Sequence, residues 1–212
     1  MTKSDTFEFT LPGRLFWLAQ ESPYRVALRE KEFGVWREYT WSDYLGRVAS
    51  SAAALMTLGL KPGQHVAILS ENRTEWLCAD LGAQALRCRS VGIYSTNPAP
   101  DVAYILKHSQ SKVVFCEDQE QVDKVVEARE ETPSVEQIVV FDPRGLGQIK
   151  DERIMTWQDF LLRGDAYIDM EPGWFGCLVA ELNCDEPAMV VYTSGTTGQP
   201  KGAILSGRNV MS

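Results

Sequence analysis

From Tyr39 onward, apolar positions recur in two alternating rhythms. Between Ser42 and about Leu58, the residues Leu45, Val48, Ala49, Ala52, Leu55 and Met56 fall at spacings of three and four, which gives a helix one buried face. Ser42 is expected to cap that helix. Gly59 supplies a left-handed stop, and the KPG turn at 61–63 forbids continuation. Residues 65–70, HVAILS, then form an almost unbroken apolar run of strand length, which suits a sheet covered on both faces. His65, at its start, reads as an edge or core histidine rather than a ligand.

The rhythm repeats. ENRTEWLCADLGAQALR predicts a helix, with Asn72 and Glu75 at capping-box spacing. SVGIY (90–94) predicts a second strand and STNPAP a loop. Pro100 opens a helix over PDVAYILKHS, where its missing N–H costs nothing. KVVFCE is a third strand, DQEQVDKVVEAREE a helix and QIVVFD a fourth strand; TWQDFLLRG is a short helix capped by Thr156. On the acidic helix Val122, Val125 and Val126 mark the buried side, and the carboxylates read as a solvated face. EPGWFGC (171–177) reads as an aromatic loop without an assigned role. AMVVYTS then enters a run of Gly, Ser and Thr.

Strand and helix in single file mean parallel pairing through right-handed crossovers. The expected fold is therefore α/β, a three-layer αβα sandwich with a mostly parallel sheet. The strands at 65–70, 90–94 and 112–117 should pair in parallel. The last strand should instead turn through the Gly/Thr run into GAILS as a hairpin.

Composition narrows the partners. The 212 residues suffice for one large domain or two small ones, and 44% apolar with 24% charged residues is ordinary for a soluble globular protein. A net charge of -8 argues against a nucleic-acid partner, since phosphate backbones reward a basic surface. No apolar run reaches membrane-span length, and residues 1–13 lack the apolar middle of a secretory leader. Cys78, Cys88, Cys116, Cys177 and Cys184 show no C-x-x-C spacing, so free thiols and a cytoplasmic location are expected. With only His65 and His108 beside them, no zinc site is expected.

The Gly/Thr run, VVYTSGTTGQPKGAILSG at 190–207, admits three readings. It can be a plain hairpin turn of tolerant residues. It can be a nucleotide P-loop, because Gly195 and Lys201 are almost correctly spaced; but Pro200 has no N–H to offer a phosphate, and Gly202 replaces the metal-binding Ser or Thr. Read whole, YTSGTTGQPKG strongly resembles the phosphate-binding signature of the adenylate-forming enzymes, which include acyl-CoA synthetases, luciferases and nonribosomal-peptide adenylation domains. That resemblance implies a loop, at 192–202, closing over the β- and γ-phosphates of ATP. The residue types suit the task. Gly195 and Gly198 let backbone N–H groups approach oxygen closely, the hydroxyls of Thr193, Ser194, Thr196 and Thr197 add donors, and Lys201 adds a positive charge.

The likeness extends along the chain. YTWSDYLGRVASSAAALMTLGLKPGQHVAILSENRTEW is similar to the family's amino-terminal region. VGIYSTNPAPDVAYILKHSQSKVVFCEDQEQVDKV resembles its long-chain fatty acid branch. The resemblance implies the amino-terminal portion of an AMP-binding domain over 1–212, with small-molecule substrates and cofactors ATP, Mg²⁺, CoA and a fatty acid. The adenine, ribose and metal sites and the mobile carboxy-terminal domain are then expected beyond Ser212, so that no catalytic residue and no metal ligand lies in this chain. Alone, it is expected to make no acyl-CoA. Peripheral membrane association is compatible with such a role; oligomeric state is left open. Alternatives are a non-catalytic nucleotide-binding or interaction module, or a ligase for another acid. Two features depart from the family pattern. Gly207 stands where a histidine beside the acyl group and nucleotide is usual, and Arg87 and Cys88 stand where small residues are common.

Overall fold

The computed structural model describes residues 9–32, 34–193 and 199–212. The chain enters through α1 (Leu11–Glu21), whose Thr10 cap accepts a hydrogen bond from the Gly13 N–H at 3.1 Å. An antiparallel pair follows, β1 (Val26–Glu32) and β2 (Val35–Thr40). Next comes α2 (Trp41–Thr57). Its cap is Thr40, not Ser42: the Thr40 hydroxyl accepts from the Asp43 N–H, while the Asp43 carboxylate accepts from the Thr40 N–H at 2.9 Å. The T-x-x-D spacing closes a reciprocal box that Ser42 has no partner to make.

The alternating units then run as expected: β3 (His65–Leu69), α3 (Thr74–Ala85), β4 (Arg89–Ile93), α4 (Ala99–Ser109), β5 (Val113–Cys116), α5 (Gln119–Glu127) and β6 (Gln137–Val140). A short β7 (Ile154–Thr156) precedes α6 (Trp157–Met170), which Thr156 caps as expected. The aromatic stretch expected to be a loop instead becomes α7 (Trp174–Ala180), with Phe175 and Val179 buried in the core. Gly173, in the left-handed conformation at φ 85°, starts it. β8 (Pro187–Thr193), β9 (Lys201–Ser206) and the short α8 (Gly207–Met211) complete the chain. All five cysteines are free thiols.

Seven strands form one sheet in the order β7–β6–β5–β3–β4–β8–β9. Every pair is parallel except β8–β9, which is the expected hairpin. Alternate residues of the apolar runs face opposite layers. Val66, Ile68, Phe115 and Phe141 meet α1, α2, α3, α6 and α7 on one side. Ala67, Leu69, Val91, Val114 and Val140 meet α4 and α5 on the other. The three-layer sandwich is thus as read from the sequence. His65 is partly buried, with Arg89 Nη1 at 3.5 Å from its ring; burial first, and the Arg89 charge second, hold its pKa below the ordinary value. It is a histidine at the start of a covered strand.

Candidate functional site

The site is built on the hairpin. In its ladder Thr193 pairs with Lys201, so these two predicted residues stand opposite one another where the strands part, and both are exposed. Ser194, Gly195, Thr196, Thr197 and Gly198 lie outside the described residues. Gly202 is required by its neighbours: a Cβ there would come within 2.8 Å of Val190 Cγ1 and 3.2 Å of Tyr192 Cζ. The residue after the lysine therefore has no room for a side chain.

Two side chains that sequence reading missed hold this region from α4. The Tyr104 hydroxyl donates to the Pro200 carbonyl at 3.1 Å, and His108 Nδ1 shares a 2.7 Å hydrogen bond with the Tyr192 hydroxyl. Tyr104 stacks on His108 with ring centroids 5.6 Å apart, and His108 meets Tyr192 edge-on at 5.8 Å. Burial pushes the Tyr192 phenol pKa up. The one available signal was the i, i+4 spacing of Tyr104 and His108, which puts both on one helix face.

Beside β8 a cavity of about 280 Å³ opens at the carboxyl ends of β3 and β4. Trp76, Ile93, Met189 and Val191 give it apolar walls, and Ser70 and Asn72 give it a polar mouth. β3 leads to α3 on one face of the sheet and β4 to α4 on the other, which is where open α/β sheets form crevices. At Gly92 an added Cβ would stand 3.7 Å from the Trp76 ring, an ordinary van der Waals contact.

The carboxylates along this rim are engaged. Glu117 accepts from the Glu71 N–H at 2.7 Å, and Glu71 itself accepts from the Ser95 hydroxyl. Glu75, expected to close a capping box with Asn72, turns instead to Arg73, with Nε–Oε2 at 2.9 Å. Burial opposes the Glu75 charge, but the Arg73 contacts outweigh it and hold the carboxyl below its ordinary value. α3 accordingly begins after Arg73 with no side-chain cap. Among the described residues no three His, Cys, Asp or Glu side chains are grouped to hold a metal ion.

The two departures sit in different surroundings. Gly207 lies at the far end of the hairpin, next to Ser206, which pairs with Pro187. The seven residues of β8 separate it from the mouth by about 20 Å at strand rise. A side chain there would meet the Cys184 carbonyl at 3.2 Å. Arg87 bears on the backbone as well as on packing: it sits at φ 59°, in the left-handed region where glycine is at ease.

The model of the AMP-binding enzyme family matches residues 15–212. Among curated proteins, the chain is similar to the long-chain-fatty-acid–CoA ligase ACSBG2 of Rattus norvegicus, 32% identical over 197 residues, covering 91% of this chain and 29% of the relative. ACSBG2 of Xenopus laevis is 29% identical, covering 87% of this chain and 24% of the relative. The long-chain-fatty-acid–CoA ligase FadD15 of Mycobacterium tuberculosis is 29% identical, covering 91% and 30%. The chain thus spans under a third of the length of these relatives. Among solved structures, the anthranilate CoA ligase AuaEII in complex with anthranoyl-AMP superposes with a TM-score of 0.76 at 23% identity, covering 98% of this chain and 37% of that one. The N-terminal domain of FACL13 from Mycobacterium tuberculosis superposes at 0.72 with 26% identity, covering 93% and 44%.

Proposed function

Because this chain belongs to the AMP-binding enzyme family, we propose that it supplies the polyphosphate-binding part of an AMP-forming long-chain fatty acid–CoA ligase. The observation that carries this reading is the pairing of Thr193 with Lys201 at the two ends of the SGTTGQP segment. In the reaction, a fatty carboxylate attacks the α-phosphorus of ATP, giving acyl-adenylate and pyrophosphate, and the CoA thiolate then displaces AMP. Both partners in the first step are anions, so the site must offset negative charge with a cation and oriented donors. Lys201 contacts the departing pyrophosphate, and the Thr193 hydroxyl and the glycine-flanked N–H groups of 194–198 share its oxygens. The apolar cavity beside β8 suits a hydrocarbon chain better than a polar acid. Among the described residues no three His, Cys, Asp or Glu side chains are grouped to hold Mg²⁺, and the reading rests on Lys201 and the hairpin. No described helix is long and apolar enough to cross a membrane.

The test is a titration of the purified chain with ATP beside Lys201→Ala. A charge-assisted contact is worth about 1.5–3 kcal/mol, so the variant is expected to bind roughly ten- to a hundredfold more weakly. Equal binding would remove the role of Lys201. Supplying ATP, Mg²⁺, palmitate and CoA then separates ligase from binding module. The chain by itself is expected to form no thioester, since phosphate contacts without a positioned carboxylate and adenine leave the reactants unoriented. Sustained AMP release above the Lys201→Ala control would overturn that expectation.

A further inference from the structure

Tyr104 and His108 stand one turn apart on α4, and each reaches a different flank of the segment 193–199. Pro200 lacks an N–H, so its carbonyl is its only backbone hydrogen-bonding group, and Tyr104 takes it. His108 takes the side chain of Tyr192, the residue before the last ladder pair. The two grips are joined by the stacking of the Tyr104 and His108 rings. α4 itself is anchored, with Val102, Ile105 and Leu106 buried against the sheet. We propose that Tyr104 and His108 are positioning residues for the phosphate-binding segment, holding both of its flanks to one turn of a fixed helix. The proposal rests on the reading of that segment as the polyphosphate site.

The benefit is entropic. Holding Tyr192 and Pro200 to one helix turn leaves these flanks fewer arrangements to give up when an anion binds beside them, so more of the contact energy appears as affinity. The ladder pair Thr193–Lys201 fixes the distance between the ends. The α4 grips fix where that pair lies relative to the helix layer. Neither residue needs to touch the nucleotide.

Amide hydrogen exchange on the purified chain tests the grips without any ligand. In Tyr104→Phe and His108→Leu, peptides covering 192–204 are expected to exchange about three- to tenfold faster, the range for losing one hydrogen bond. Peptides from α2 and β3 should be unchanged. His108→Asn keeps a polar atom near the Nδ1 position and is expected to restore near-wild-type exchange. Unchanged exchange at 192–204, or equal acceleration throughout the chain, would overturn the proposal. ATP titration of the same variants separates it from the functional reading. If Lys201→Ala binds ATP normally while Tyr104→Phe still exchanges faster at 192–204, the grips stand and the phosphate role falls. If Lys201→Ala weakens ATP binding and Tyr104→Phe alters neither exchange nor affinity, the positioning role falls.

Discussion

Gly164 of α6 rests directly on the carbonyl of Ser50 in α2: a Cβ at 164 would stand 1.9 Å from that oxygen. The two helices cross there, with the Ser50 hydroxyl donating to the Asp165 carboxylate alongside. Gly164→Ala must therefore push the helices apart, and a loss of about 3 kcal/mol or more is expected. Gly46→Ala is the control. It lies in the same α2 with nothing within 4 Å of its added Cβ. It should gain about 0.5–1 kcal/mol from helix propensity. Chemical denaturation of both variants checks the pair; similar effects would contradict the crossing.

Two carboxylates set opposite slopes of stability with pH. Burial pushes the Asp80 carboxyl up, against the Gln84 amide that donates to it at 2.8 Å. The folded chain then keeps that proton to a higher pH than the unfolded one, so stability falls as pH rises above 3.8 toward the folded value. Asp80→Asn should be more stable than the parent at pH 7, with the advantage shrinking toward pH 4. Asp151 is the reverse. Its contacts with Arg153, closest at 2.6 Å, hold its carboxyl at about 2. Its contribution is present above 3.8 and lost as pH falls toward 2. Asp151→Asn should be destabilised at pH 7 and approach the parent in acid. Urea midpoints across pH decide both.

Arg87 follows α3 at a left-handed position. Its guanidinium reaches Glu186, Nε–Oε2 at 2.8 Å, but as a largely exposed pair this is worth at most about 1 kcal/mol. Arg87→Ala keeps the strained backbone and loses the pair, so it should be destabilised by up to about 1 kcal/mol. Arg87→Gly loses the same pair but relieves roughly 1 kcal/mol of left-handed strain. It should be neutral or better. Thermal melts of the two variants would refute the argument if alanine proved the better residue.

Gly207→His, which restores the family's usual residue, should lower the melting temperature, because the Cys184 backbone is in the way. It should leave ATP affinity unchanged. A large change in affinity would mean that the two ends of the hairpin communicate.

The parallel core was legible because HVAIL, VVFC and QIVV are nearly continuous apolar runs, which only a sheet covered on both faces needs. β1 and β2 were not. Their charge-rich residues carry no such run: most described positions of β1 are only half-buried, and β2 is exposed over its first four positions. α7 was hidden by its brevity: seven residues after a Pro-Gly give too little periodicity to tell a helix from a loop. The caps misled where two polar residues competed, and Asp43, three residues after Thr40, decided for Thr40. At the site, the hairpin was read from local sequence. The grip of Tyr104 on Pro200 joins residues far apart in the chain, so only the folded arrangement could reveal it.

The hairpin also bears on the order of assembly. Partners such as Thr193 and Lys201 are near neighbours along the chain, whereas joining β8 to β4 brings together Ser90 and Met189, about a hundred residues apart. Closing the longer loop costs about 2 kcal/mol more by the logarithmic rule, and long-range parallel pairing is slow. The two strands of this hairpin can thus zip together while the sheet is still incomplete, then dock as a finished piece. Pulsed exchange during refolding should find the β8–β9 amides protected before those between β4 and β8, and the reverse order would refute it.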